Sequence, residues 1–199
     1  MAPTHLRPRF LKLIERERRR AEAGQPAEIV AKMNSLIDEE FIAALYAASQ
    51  AGDDISLNVR GTCALRPGVP GVSDTIEVIS IVDRFLEHSR VYYFQNGGDD
   101  QVYLSSADWM TRNLDKRVEL MFPIEDSGHK SSVLYALRAM FRDTVKARCL
   151  RADGTYERKE PAPGEQPFRV QQHLQDEARR RTTLARERKG VTFSPEEGR

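Results

Sequence analysis

The sequence predicts an α/β sandwich with a mixed β-sheet, and three observations carry that prediction. Short runs rich in β-branched residues, such as Ile55 to Val59 and Ile76 to Val82, have the length and composition of strands. Between and after them lie segments with apolar residues at helical spacing, Glu39 to Gln50 and Ser131 to Arg142. The stretch Gln95-Asn96-Gly97-Gly98-Asp99-Asp100 separates two strand-like runs and reads as a hairpin, so part of the sheet is antiparallel. Strands alternating with helices place helices on the faces of the sheet.

Phe10 to Ala23 reads as a helix, with Leu11, Ile14 and Ala21 as a partial apolar stripe and Gly24 and Pro26 as its stop. Ile29 to Leu36 alternates and predicts a strand that carries Lys32 and Asn34 outward. Asp38 is placed to cap the helix Glu39 to Gln50, whose inner face holds Phe41, Leu45 and Ala48. Ala51 to Asp54 is a turn, and Ile55 to Val59 is a strand that ends at Arg60. Gly61 to Ser73, with Pro67, Gly68, Pro70 and Gly71 at its centre, is a loop of functional length. After the strand Ile76 to Val82, Asp83 to Glu87 is a short turn or helix. Val91 to Phe94 and Gln101 to Leu104 flank the hairpin turn, and Arg117 to Phe122 is a further strand. The helix Ser131 to Arg142 points Val133, Leu134, Leu137 and Phe141 inward, and Thr144 to Leu150 is the last strand. Pro161 to Pro167 reads as a linker, Phe168 to Arg181 as a helix, and the remainder as a frayed tail. The expected division is therefore a lead-in helix over 1–27, one domain over 28–160, and a linker, short helix and basic tail over 161–199.

Composition narrows the function classes. The chain has 199 residues, of which 40% are hydrophobic and 31% charged, as in soluble globular domains. Its net charge of +1 names no partner. Basic runs at Arg16 to Arg20 and at Arg179 to Lys189 read as solvated helix faces. Cys63 and Cys149 make neither a disulfide framework nor a zinc site. No apolar run reaches the length of a membrane span, and the first residues lack a signal-peptide pattern, so the expected location is the cytoplasm.

The residues that carry chemistry lie between Arg60 and Asn113. Arg60 ends a strand, where open α/β sheets bind ligands. Arg66-Pro67-Gly68 is a rigid turn that presents a guanidinium, a group whose fork matches phosphate oxygens. A lone histidine beside a strand is ordinarily a hydrogen-bonded structural residue. His88, however, stands between Arg84 and Arg90, and cations next to an imidazole suit a bound phosphate. His88 and Arg90 also have the spacing of half a phospholipase D site, His-x-Lys with arginine for lysine. Ser105-Ser106-Ala107-Asp108 followed by Thr111-Arg112-Asn113 stands where that superfamily has Gly-Ser-x-Asn, with Asp108 departing at the asparagine position. Ser106, Arg112 and Asn113 are candidate phosphate ligands, and Arg117 is either a further one or a solvent-facing strand residue. Trp109 reads as a packing anchor, not a base-stacking platform, so nucleic acid is not an expected partner. There is no Gly-x-x-x-x-Gly-Lys-Ser/Thr phosphate loop.

These same residues resemble a known family. Arg60-Gly61, Leu65-Arg66-Pro67-Gly68, the run Ser80 to Arg90 and the run Ser105 to Asn113 look like the C-terminal domain of the long, ATP-dependent polyphosphate kinase. The resemblance is nearly ungapped from about Arg9 to about Gln172. It implies a phospholipase D-like sandwich and reversible transfer of the terminal phosphate of ATP to polyphosphate, with ATP, ADP and polyphosphate as ligands. It also implies that the phosphorylated histidine and the magnesium-binding arginines belong to a preceding domain that is absent here. The remaining kinase domains are then partners, and the family pattern allows a homo-oligomer and peripheral membrane association. Carried over residue by residue, Arg60 and His88 match the family's ATP-binding arginine and histidine, and His88 is also the acid/base candidate. Ala64 replaces a usual Cys or Ser, and Asn58 a usual apolar residue. Two other readings stay open: a homodimeric phospholipase D-like phosphodiesterase, and a non-catalytic polyphosphate- or nucleotide-binding module.

Overall fold

The computed structural model describes residues 4–189. Its centre is an eight-stranded sheet. In chain order the elements are α1 (Leu6–Glu22), β1 (Glu28–Met33), α2 (Glu39–Gln50), β2 (Asp54–Val59), β3 (Ile76–Ile81), β4 (Val91–Phe94), β5 (Gln101–Ser105), β6 (Met121–Pro123), α3 (Ser127–Met140), β7 (Ala147–Leu150), β8 (Tyr156–Arg158) and α4 (Val170–Lys189). The strand order is β6-β5-β4-β1-β2-β3-β7-β8. β1, β2 and β3 run parallel to one another, and every other neighbouring pair is antiparallel. The sheet is thus mixed, and helices cover both faces.

On one face α1 and α2 pack over Ile29, Ala31, Met33, Ile55, Leu57 and Tyr92. Trp109 is fully buried there, stacked on Tyr92 at 5.0 Å between ring centroids. On the other face α3 packs Leu137 on Val30, Tyr93 and Val102, and Val170 at the start of α4 joins Ile79, Ile81 and Met140. α2 has its expected bounds, and the Asp38 side chain accepts from the Phe41 N–H as its cap.

Several expectations shift. α1 begins at Leu6, and its buried stripe is Leu6, Phe10, Leu13, Ile14 and Glu17, so Leu11 and Ala21 lie only at its margin. α3 begins at Ser127 because Asp126 accepts from the His129 N–H and starts the helix a turn early. The strand expected over Arg117 to Phe122 contracts to Met121–Pro123. Residues Arg112–Lys116 instead form a π-helical turn that uses up the chain before the strand. β8 is a short exposed edge strand with no apolar pattern to announce it. Lys32 and Asn34 do not face solvent. Both are buried: residues 87–89 close over Lys32, and Asn34 lies against Asp108 and Arg60. The last helix, expected to end at Arg181, runs on to Lys189, so residues 182–189 of the expected tail are helical, and the rest of that tail lies outside the described residues.

No helix among the described residues is long and apolar enough to cross a membrane. The basic run of α1 is tied down: Arg16 to Glu17, Arg18 to Glu15 and Glu22, and Arg19 to Glu15.

Candidate functional site

The parallel strands β1 and β2 end side by side, and their carboxyl ends start the site. Beyond the strands the ladder continues through Arg60 N–H to Met33 O (3.2 Å) and Gly61 N–H to Asn34 O (2.8 Å). A Cβ on Gly61 would lie 2.8 Å from the Asn34 carbonyl oxygen, so only glycine allows this approach. The approach sets Arg60 beside Asn34, whose Oδ1 accepts from Arg60 Nε at 3.0 Å.

Asn34 in turn holds Asp108. Its backbone N–H and its side-chain amide both donate to Asp108 Oδ1, at 2.7 and 3.3 Å. Asp108 then accepts from Arg90, Nε to Oδ1 at 3.2 Å and a terminal nitrogen to Oδ2 at 3.0 Å. Arg90 donates back to the His88 carbonyl at 2.9 Å. The ring of contacts closes where Arg60 meets His88 Nδ1 at 3.4 Å. A guanidinium has only donors, so the nitrogen facing it is the unprotonated one, and the imidazole proton sits on Nε2. His88 is exposed, on a segment without regular structure between β3 and β4.

Electrostatics favours the neutral imidazole. The His88 pKa lies below the ordinary imidazole value, chiefly because of Arg90, then partial burial, then Arg60, with Asp108 opposing. The free site is therefore a neutral imidazole among fixed cations, and a bound phosphate would reverse that balance. Lys32, buried under the same segment, is pushed down to about 8 by burial.

This arrangement has relatives. The family model described as "Polyphosphate kinase C-terminal domain 2" matches residues 1–171. The chain belongs to that family. A polyphosphate kinase of Rhodopirellula baltica is 55% identical over 174 residues, covering 87% of this chain and 20% of its own length. One of Thermosynechococcus vestitus is 56% identical over 165 residues, covering 83% of this chain and 22% of its own length. The crystal structure of polyphosphate kinase from Porphyromonas gingivalis superposes with a TM-score of 0.85 at 36% identity, covering 90% of this chain and 27% of that one. The chain thus spans about a fifth to a quarter of the length of these relatives.

The remaining sequence-predicted ligands of this polyphosphate kinase domain are dispersed. Ser106 and Asn113 meet at Glu119, a buried carboxylate: the Ser106 hydroxyl donates to it, and the Asn113 amide donates at 2.7 Å. Ser106 Oγ also accepts from the Leu120 N–H at 3.0 Å. Both side chains thus brace the segment after β5. The Arg66 guanidinium lies over Gly154 in the β7–β8 turn, where a Cβ would collide with it. It takes no part in the hydrogen-bonded ring. Arg112 is exposed and, with Ile37, Met110, Thr111, Lys116 and Arg117, lines an open cavity of about 720 Å³.

Asn34, Lys32 and Glu119 are the members that sequence reasoning missed. The available signal was polar residues alternating with apolar ones on a strand bound for a sheet covered on both faces. Among the described residues no group of three or more His, Cys, Asp or Glu is arranged to hold a metal ion.

Proposed function

We propose that this chain is the C-terminal catalytic portion of a polyphosphate kinase that reversibly transfers the terminal phosphate of ATP to a polyphosphate chain. The observation that supports it most is the juxtaposition of Arg60 and His88 in a chain whose family match covers both. Arg60 supplies charge to phosphoryl oxygens, and a guanidinium held by Asn34 needs no reordering to do so. His88 presents Nε2–H as a hydrogen-bond donor, and as an acid once phosphate raises its pKa. Arg90 is tied to Asp108 and acts mainly by fixing the field around the imidazole.

In the family reading the reaction has two halves. A P–O bond of ATP breaks as a P–N bond to a histidine of the preceding domain forms. That P–N bond then breaks as the polyphosphate end gains a P–O bond. Magnesium, brought with ATP and held by that preceding domain, screens phosphate charge when bound. Among the described residues no carboxylate or histidine cluster would form its cage. We place the enzyme in the cytoplasm, where its nucleotide substrate is, with the other kinase domains as its first partners.

The test is synthesis. The pure chain incubated with ATP and magnesium should make no polyphosphate, whereas the chain joined to the preceding domains should. Robust synthesis by the chain alone would overturn this division of labour. Hydrolysis of a phosphodiester by the pure chain would favour a dimeric phosphodiesterase instead.

A further inference from the structure

Lys32 is buried to 1% exposure near the end of β1, and among the described residues no carboxylate pairs with it. Its ammonium donates to two backbone carbonyls, Glu87 O at 2.8 Å and Ser89 O at 2.7 Å. Those two carbonyls flank His88. Between Val82 and Ser89 the chain has no strand partner among the described residues, and within those residues the backbone N–H groups of residues 86–89 make no hydrogen bond to backbone or side chain. A segment of that kind is normally mobile. Here it is held from beneath by Lys32, at His88 O by Arg90, and upstream by Gln171, which accepts from the Phe85 N–H and donates to Phe85 O and Glu87.

Burying an ammonium is costly unless its hydrogen bonds are made. A Met at this position would fill the same space without that cost, so core packing alone does not explain a lysine. The charged groups around it are Glu87, Asp108, Arg60 and Arg90, two anions and two cations, so the ammonium adds one net positive charge to a balanced set. What a lysine adds beyond that charge is geometry: two carbonyls drawn to one point, with the His88 Cα between them.

We propose that Lys32 is a positioning residue for His88, setting the place of the imidazole relative to Arg60 by clasping the carbonyls of the residues before and after it, Glu87 and Ser89. Its part in turnover rests on the function proposed above, but the clasp itself can be tested without that reaction. The experiment is a double-mutant cycle read by NMR on the His88 ring in the whole chain. In the wild-type background, Arg60→Gln should raise the His88 pKa, because a nearby cation is removed. In Lys32→Met, the imidazole no longer sits against Arg60, so the same Arg60→Gln change should produce no further shift. If the shift persists undiminished, Lys32 acts only as a charge or as core, and the proposal falls. If Lys32→Met does not fold, Lys32→Gln is read in the same way. Failure of both to fold would assign Lys32 to the core and overturn the proposal. In the joined enzyme, Lys32→Met should lower turnover at least tenfold with KM for ATP changed far less, and Lys32→Arg should recover part of the loss. If that enzyme makes no polyphosphate at all, the functional reading fails, while the NMR cycle still decides the clasp.

Discussion

Arg90 grips Asp108 through both carboxylate oxygens, while the same Asp108 accepts the backbone N–H of Asn34. Both side chains are nearly buried, at 12% and 7% exposure. The pair therefore joins the start of β4 to the end of β1 and to the segment after β5. The forked guanidinium of Arg90 needs an anion to hold it, and Asp108 provides one.

Removing Asp108 should therefore damage both stability and catalysis. Asp108→Ala leaves a buried guanidinium and two Asn34 donors unpaired, which should destabilise the fold by roughly 3–5 kcal/mol. Asp108→Asn keeps an acceptor for Asn34 and should cost less, but it removes the one anion that opposes the cations around His88. The His88 pKa should then fall further below its ordinary value. Urea unfolding and an NMR titration of His88 measure the two effects separately. An unchanged His88 pKa in Asp108→Asn would contradict the ring of contacts.

Arg60 and His88 carry the sharpest functional expectation. In the joined enzyme, Arg60→Ala and His88→Ala should each cost roughly 1.5–3 kcal/mol of transition-state stabilisation, as expected for a charge-assisted phosphate contact. That is about one to two decades in turnover. Folding should remain cooperative, since His88 is exposed and Arg60 is partly so. His88→Gln keeps a donor but cannot exchange a proton, so it should also be impaired. Wild-type turnover in His88→Gln across the pH range would leave a positioning role and exclude acid/base work.

How much of this could be read from the sequence depends on where each side chain's partner lies. The α2 helix and its Asp38 cap were legible because capping is a matter of three residues. The mixed sheet was legible because strand length and the hairpin at Asn96-Gly97-Gly98 are local features. Arg60 and His88 were found because each stands next to a chemical signal in the chain. Asn34 was not, because its meaning comes from Asp108, seventy-four positions away. Lys32 was misread for the same reason. An alternating polar residue on a strand looks solvent-facing until the irregular segment of residues 87–89 is placed over it, and its partners are backbone carbonyls, which carry no sequence signature.

Phosphate binding should strengthen as pH falls. The free His88 has a depressed pKa, and a bound anion raises it. A ligand that raises a pKa binds the protonated form better, so affinity for inorganic triphosphate should climb as pH drops from above the bound pKa to below the free one. The same binding should weaken steeply with salt, because it depends on several cations facing one polyanion. Calorimetric titrations of the chain at two pH values and two salt concentrations test both slopes. Affinity indifferent to pH in the wild type, or equally pH-dependent in His88→Ala, would remove His88 from the binding site.

The last prediction concerns a residue away from the site. Asp53 is fully buried where α2 turns into β2, and among the described residues neither of its carboxylate oxygens has a hydrogen-bond partner. Burial, then the nearby charges of Glu17, Asp54 and Glu28, push its pKa up to about 8. The consequence for stability follows from the direction of that shift. In the unfolded chain Asp53 ionises near 4, whereas in the fold it stays protonated to about 8. The folded state thus binds the extra proton between those values, and stability declines as pH rises through that window. Above it the carboxyl is charged in both states, and the full cost of burying it has been incurred. Asp53→Leu removes the carboxyl and should raise Tm more at pH 8 than at pH 4.5. Asp53→Asn should do so less, because an unpaired amide is still buried. Thermal unfolding of the three proteins at the two pH values is the measurement. A Tm gain that is the same at both would mean that the leucine merely packs better and that the carboxyl's ionisation is not what limits the fold.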